Sequence, residues 1–273
     1  MPFRTHLGRG LDIRARSNQI MLAIVSLTGI IALVRWLDGE AFTVFFVPLS
    51  AFLIWGLGRE VDPDHNWTAL LGAVVAAVWG FLDVDTVEVI AFAALMGMGR
   101  LITNTTGRRL LTIDLIAVSF GGVVIGSYPV GWAAGFGLAI ALYVDNQMNE
   151  SWSRAQLIAS AATAIGTTIV AAATGAFAGG LASVVPYMAL ASGAVALLLA
   201  IREPAEPASL VDARHAALIS GRRLHASRAT VGLVLLGMTL LAGPDSHGLT
   251  PAILMLTLAL ISNEAELARR VRY

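Results

Sequence analysis

Residues 4–36 read RTHLGRGLDIRARSNQIMLAIVSLTGIIALVRW, and the contrast between the two halves of this stretch decides the fold. The first half carries Arg4, Arg9, Arg14 and Arg16, while the second, Ile20–Trp36, is apolar until Arg35. A basic segment running into an apolar one of this length marks a membrane helix. Its basic flank stays in the cytoplasm, because the insertion machinery and the membrane potential oppose transfer of Arg. No small-residue cleavage site follows Leu33, so the stretch reads as a retained first span and not as a signal peptide.

Outward from this stretch the same alternation recurs. Further apolar runs are Ala41–Leu57, Trp67–Leu82, Thr86–Met98, Leu110–Gly126, Val130–Val144, Ala155–Ala176, Leu181–Ile201, Thr230–Ala242 and Leu249–Ile261. Arg59 follows the second run; Arg100, Arg108 and Arg109 follow the fourth; Arg154 follows the sixth. Arg202, Arg214, Arg222, Arg223 and Arg228 follow the eighth, and Arg269, Arg270 and Arg272 the last. All 18 basic residues are Arg, and only Arg35 falls on the other side of the alternation. The opposite loops hold acids without bases: Asp38 and Glu40, then Asp83, Asp85 and Glu88, then Asp245. The expectation is an all-α, polytopic integral membrane bundle of about ten transmembrane helices with both termini cytoplasmic. It forms a single domain, with a tail at 1–19, a long inner loop at 202–228 and a second tail at 263–273. Trp36, Trp79 and Trp132 then fall at outer span ends and Trp55, Trp67 and Trp152 at inner ones, as amphipathic indoles prefer. Arg35, beside Trp36, reads as a snorkelling anchor.

Composition agrees. With 57% hydrophobic and 13% charged residues in 273, and a mean hydropathy of +0.76, the chain lies outside the range of soluble domains. Ten spans of roughly 20 residues leave only short loops. The absence of Cys excludes disulfides, iron–sulfur clusters and thiolate metal sites. The absence of Lys excludes Schiff-base chemistry and the P-loop lysine. His6, His65, His215, His225 and His247 all fall in expected loops or tails, with no i, i+4 pair, and no GxSxG motif occurs.

Smaller features refine this picture. Pro48, Pro129, Pro186 and Pro251 sit near the outer starts of spans, where a missing N–H costs little; Pro48 and Pro186 are deep enough that a helix break is the alternative. Gly122/Gly126, Gly131/Gly135 and Gly175/Gly179 have the small-xxx-small spacing that lets helices approach closely, within one chain or across an oligomer. In the 202–228 loop, Ser209 and Asp212 suggest the start of a short interfacial helix ending at Gly221, with Arg222 and Arg223 facing anionic lipid.

The residues with chemical potential gather on the Arg-bearing side. Glu60, Asp62, Asp64 and His65 follow the second run; Arg100, Asn104, Arg108 and Arg109 follow the fourth, with Asp114 about one turn into the fifth; Asp145 and Glu150 follow the sixth. Carboxylates suit Mg²⁺ and Arg suits phosphate. Each loop also reads as ordinary turn and cap composition, as does Asp85 with Glu88. Asp114 stands apart: a carboxylate within a span is disfavoured and should face the interior with a partner, for which Arg108 and Arg109 are near in sequence. Acidic loops after the second and sixth spans are similar in outline to membrane prenyltransferases of the UbiA type. The motifs depart from that family's: Glu60, Asp62 and Asp64 do not match its Asn-Asp pattern, and Asn149 stands where a second Asp would follow Asp145. Ten spans also exceed its usual nine.

Three functional expectations follow. The first is a transporter or permease for a small or amphiphilic molecule, with Asp114, Arg100, Arg109 and Asn104 contacting substrate or coupling ion. The second, implied by the outline above, is an enzyme acting on a lipid phosphate or prenyl diphosphate through Glu60, Asp62, Asp64, Asp145 and Glu150, with Mg²⁺ at Asp62 and Asp64. The third is an accessory membrane subunit. The partners expected are the lipid bilayer and a small-molecule or lipid substrate, and no nucleic acid.

Overall fold

Ten α-helices and no strand occur among the residues that the computed structural model describes, which are 6–7, 13–37, 43–82, 88–176, 187–204, 207–208 and 218–270. They are α1 (Arg16–Leu37), α2 (Thr43–Val61), α3 (Asn66–Leu82), α4 (Val89–Thr103), α5 (Thr112–Ile125), α6 (Gly131–Met148), α7 (Arg154–Ala173), α8 (Tyr187–Ile201), α9 (Gly221–Ala242) and α10 (Thr250–Arg270). A 3₁₀ turn, Gly243–Leu249, joins the last two. Four of these stretches are long and apolar enough to cross a membrane: Arg16–Trp36, Arg154–Ala173, Gly221–Ala242 and Ser246–Arg269. α3, α4, α5 and the Ala189–Ile201 part of α8 are apolar but shorter. At 1.5 Å per residue they reach only about 20–26 Å.

Side-chain contacts between helix ends show that neighbouring helices run in alternating directions. Arg59 near the end of α2 donates to Ser17 at the start of α1, and Thr68 at the start of α3 donates to Asp62 just past α2. Arg100 near the end of α4 pairs with Glu60 of α2, and Gln156 at the start of α7 donates to Asp145 near the end of α6. Arg202 after α8 pairs with Glu264 near the end of α10, and Arg223 at the start of α9 pairs with Asp145. The Arg-bearing segments therefore meet at one end of the bundle, as their alternation along the sequence predicts.

The interior is built on α4, α6 and α9, which pack against one another. Leu95 and Met98 of α4, Leu138 and Leu142 of α6, and Val231 and Leu235 of α9 lie in one buried cluster. Gly137 marks the tightest approach: a Cβ there would sit 2.6 Å from Met98 Cε and 2.7 Å from Val234 Cγ2. A second cluster joins α1, α2 and α3 through Met21, Val47, Trp55 and Ala73. The glycine spacing is used inside the chain. A Cβ on Gly122 would lie 2.7 Å from Thr163 Cγ2, and one on Gly135 2.6 Å from Gly122 O, so α5, α6 and α7 touch almost backbone to backbone. Gly175 differs from this expectation. Its φ of +72° makes it a left-handed turn residue after α7, with nothing near its Cβ position.

Polarity is inverted relative to a water-soluble bundle. Large apolar side chains such as Leu27, Ile30, Phe45, Phe120, Ile158, Ile169 and Leu197 are exposed, while Glu60, Asp62, Asp114, Asp145 and Arg228 are buried. α2 runs through Pro48 without a break, and Pro251 is the second residue of α10, so neither opens its helix. Arg35 donates to Phe81 O at 2.6 Å, occupying one of the unpaired carbonyls at the end of α3. Trp55 is buried rather than interfacial, with the Arg59 guanidinium 5.8 Å from its ring centre.

Two boundaries differ from the sequence expectation. α9 starts at Gly221, not Thr230, and α10 runs to Arg270, past the apolar run that ends at Ile261. The interfacial helix expected from Ser209 and Asp212 lies outside the described residues, as do Asp38, Glu40, Asp83, Asp85, Pro186, Gly179, Arg4, Arg9, Arg214, His215 and Arg272.

Candidate functional site

Both ends of the α4–α6–α9 seam carry chemistry, of opposite kinds. At the Arg-bearing end, three buried carboxylates meet three arginines. Glu60, fully buried in the last turn of α2, accepts from Arg100 Nε at 2.8 Å through Oε1, and from the Thr103 and Thr105 hydroxyls at 3.0 and 2.9 Å through Oε2. Arg100 also donates through Nη1 to Leu7 O at 2.9 Å, which ties the N-terminal segment to α4.

Asp145, at the end of α6, accepts from Arg223 Nη1 at 2.6 Å through Oδ1; its Oδ2 accepts from Gln156 Nε2 at 2.8 Å and Asn149 Nδ2 at 3.2 Å. Arg223 extends the same fork to Ile102 O and to Asn149 Oδ1, both at 2.9 Å, so one side chain fastens α9 to α4 and α6. Asp62 accepts from the hydroxyls of Thr68 (2.9 Å) and Ser262 (2.5 Å) through Oδ2, with His65 Nδ1 2.9 Å from Oδ1. Arg228 lies 3.9 Å from the same Oδ1, while its Nε donates to Val61 O at 2.6 Å and its Nη1 to Asn263 Oδ1 at 3.1 Å. This charge set is shielded from solvent and nearly saturated, the condition under which buried ion pairs are tolerated.

The structure places the other expected site residues as follows. Asp62 and Asp64 have different surroundings. The Asp62 oxygens are engaged by hydroxyls, His65 and Arg228, whereas Asp64 is exposed and accepts the Ala208 N–H at 2.9 Å. Among the described residues no three His, Asp or Glu side chains converge as a metal site would require. Glu150 is exposed, so it does not join Asp145. Arg222 and Arg223, expected on a lipid-facing loop, belong to α9, and Arg223 turns into the bundle. Arg109 is exposed, and Asn104 is the left-handed residue, φ 50°, that ends α4.

Asp114 is buried as expected, but its Oδ2 is matched by backbone donors and not by Arg108 or Arg109. It accepts the N–H of His6 at 3.2 Å and that of Leu111, the residue preceding α5, at 3.0 Å. His6 Nδ1, 2.6 Å from Arg108 O, donates to that carbonyl. Asp114 thus starts α5 and anchors the N-terminal segment. Asp114→Ala is expected to lower stability by about 1–2 kcal/mol, the worth of a cap. Asp114→Asn, which keeps an acceptor oxygen, should cost less; thermal unfolding of the purified protein measures both. A coupling carboxylate would show no such ranking in function, with Asn as damaging as Ala.

At the other end the same three helices enclose a cavity of about 330 Å³. Its wall is formed by the start of α4, the Tyr128–Val130 turn, the start of α6 and the last turn of α9. Tyr128 and Ile90, 51% and 44% exposed, stand at its mouth. Glu88 lies in this wall directly before α4. The sequence casts it as a cap, yet its side chain makes no capping hydrogen bond and no bond or ion pair to any described residue. Burial holds its carboxyl above the usual carboxylate range. Glu88 and Arg100 are twelve positions apart, roughly 18 Å of helix, and the Leu95–Met98–Leu138–Leu235 core fills the space between. Compared with protein-family models, curated proteins and solved structures, the chain matches none.

Proposed function

We propose that this chain is a multi-pass membrane transporter or permease for a small or amphiphilic molecule, crossing the bilayer about ten times with both termini in the cytoplasm. The reading is carried by the asymmetry of the α4–α6–α9 seam, which has a cavity at one end and an ion-paired closure at the other. A carrier needs this combination: a site reached from one side, and a barrier on the other made of contacts that can exchange when helices rock. The exposed apolar side chains support it as the surface that lipid would cover, and the arginine alternation supports a cytoplasmic closed end. The rival enzyme reading has its carboxylates at the right end, but Glu60, Asp62 and Asp145 are occupied by arginine, hydroxyl and amide donors, while Asp64 and Glu150 are exposed.

Because the chain has no Cys, a single introduced thiol reports accessibility directly. Cysteine at Ile90, at the cavity mouth, is expected to react with an impermeant maleimide added from the non-cytoplasmic side. Cysteine at Ala141, buried one turn before Asp145, is expected to be protected. Combined with Asp145→Asn it should react from the cytoplasmic side about tenfold faster as the barrier loosens. An Ala141 thiol equally protected with and without Asp145→Asn, while the Ile90 thiol still labels, would remove the carrier reading.

A further inference from the structure

We infer that the cavity at the Glu88 end binds a small organic monocation, an ammonium group on a compact apolar body. Among the described residues the wall supplies one carboxylate, and apart from the Tyr128 phenol its other side chains are apolar: Glu88 lines the space together with Tyr128, Val130, Ala134, Met238 and Leu241. Among the described residues no Arg or His lines it, so an anion entering the cavity would meet the negative charge of Glu88 without a cation to offset it. A neutral apolar guest would leave that carboxylate partly desolvated and unpaired, which is costly in such surroundings. An ammonium satisfies it with a charge-assisted hydrogen bond while its hydrocarbon covers the walls. The volume limits the guest to about the size of a single substituted ring.

The helix geometry supports the same assignment. Glu88 sits where its side chain would ordinarily fold back to cap α4, and it does not. Among the described residues no donor takes up its carboxylate, whereas Glu60, Asp62 and Asp145 at the opposite end are taken up by the protein. Glu88 and Tyr128 are the titratable side chains on this wall. Protonating Glu88 removes the ion pair, so affinity should fall with acidification, and over a higher pH range than for a solvated carboxylate.

As a binding assignment this stands on the cavity alone; as a substrate class it rests on the carrier reading, and equilibrium binding without any gradient separates the two. The test is calorimetry on the full chain in nanodiscs of zwitterionic lipid, with phenethylammonium as probe. 2-Phenylethanol and 3-phenylpropanoate are the neutral and anionic comparisons. The expected result is binding of the ammonium, at least about tenfold weaker binding of the alcohol and none of the carboxylate. Glu88→Gln should weaken the ammonium at least about tenfold without affecting the alcohol. Ala242→Phe, which fills the cavity while leaving Glu88, should remove binding of both; its unchanged melting point would confirm folding. Absence of ammonium binding to the unaltered protein, equal affinity for the alcohol, or full affinity in folded Glu88→Gln would each overturn the proposal. Full affinity in Ala242→Phe would do the same by placing the ligand elsewhere.

Discussion

Glu60→Ala is expected to destabilise the protein by about 3–5 kcal/mol, the penalty for leaving a buried charge without its partner. Glu60 is fully buried and its two oxygens take three donors, from Arg100, Thr103 and Thr105. The change strands a guanidinium and the Thr105 hydroxyl where the α4–α5 connection meets α2, while Thr103 keeps its bond to Gly99 O. Arg100 keeps its bond to Leu7 O, but a carbonyl does not neutralise the charge. Most of the loss therefore comes from the partner left behind, and a second substitution tests that origin. Glu60→Leu together with Arg100→Met should be markedly more stable than Glu60→Leu alone, because no unpaired charge remains. The midpoint of denaturant or thermal unfolding, read on all three variants in one detergent, decides the point. A double variant no better than the single would mean that the pair contributes mainly through its packing.

The same pair shows how far the sequence could be read. The alternation of arginine was legible because topology is a property of whole segments: each Arg needs only to sit at the correct end of its helix. Glu60, Arg100, Asp62 and Asp145 could be named as polar residues at that end, but not matched. A carboxylate's partner depends on which helices adjoin, and α9, whose Arg223 and Arg228 close the network, is separated from them by most of the chain.

The α9 boundary itself was misplaced for a physical reason. Residues 221–229 read GRRLHASRA, too polar for an apolar run, so the apolar run itself begins at Thr230. A helix continues into such a segment when its polar groups are satisfied inside the bundle. The signal was present as periodicity: Leu224, Ser227, Arg228 and Val231 fall at i, i+3, i+4 and i+7, and all four are buried. Glu88 stands at the expected position directly before α4 but makes no side-chain cap bond. Carboxylates just before helices usually cap them, and the cavity beside this one is not readable from the sequence.

Arg228→Met should rank with Glu60→Ala, at about 3–5 kcal/mol, though the side chain it removes holds a different set of elements together. The guanidinium is 4% exposed and divides its donors among Val61 O at the end of α2, Asn263 on α10 and the Asp62 carboxylate between α2 and α3. Asp62 retains His65, Thr68 and Ser262, so its charge is not abandoned entirely. What is lost is a planar fork with donors aimed at three different elements at once. Arg228→Lys separates charge from geometry. An ammonium can pair with Asp62 or reach Val61 O, but it cannot present the fork's divergent donors, so it should recover only part of the loss. Recovery by Lys to the stability of the unaltered protein would show that charge alone matters. Equal loss in Lys and Met would show that the fork does. The distinction bears on the proposed barrier. A network held by divergent forks must break several bonds together when α9 moves, which favours two discrete arrangements over a graded opening. Arg228→Lys, by relaxing that condition, should raise the reactivity of a thiol at Ala141 even where the fold survives.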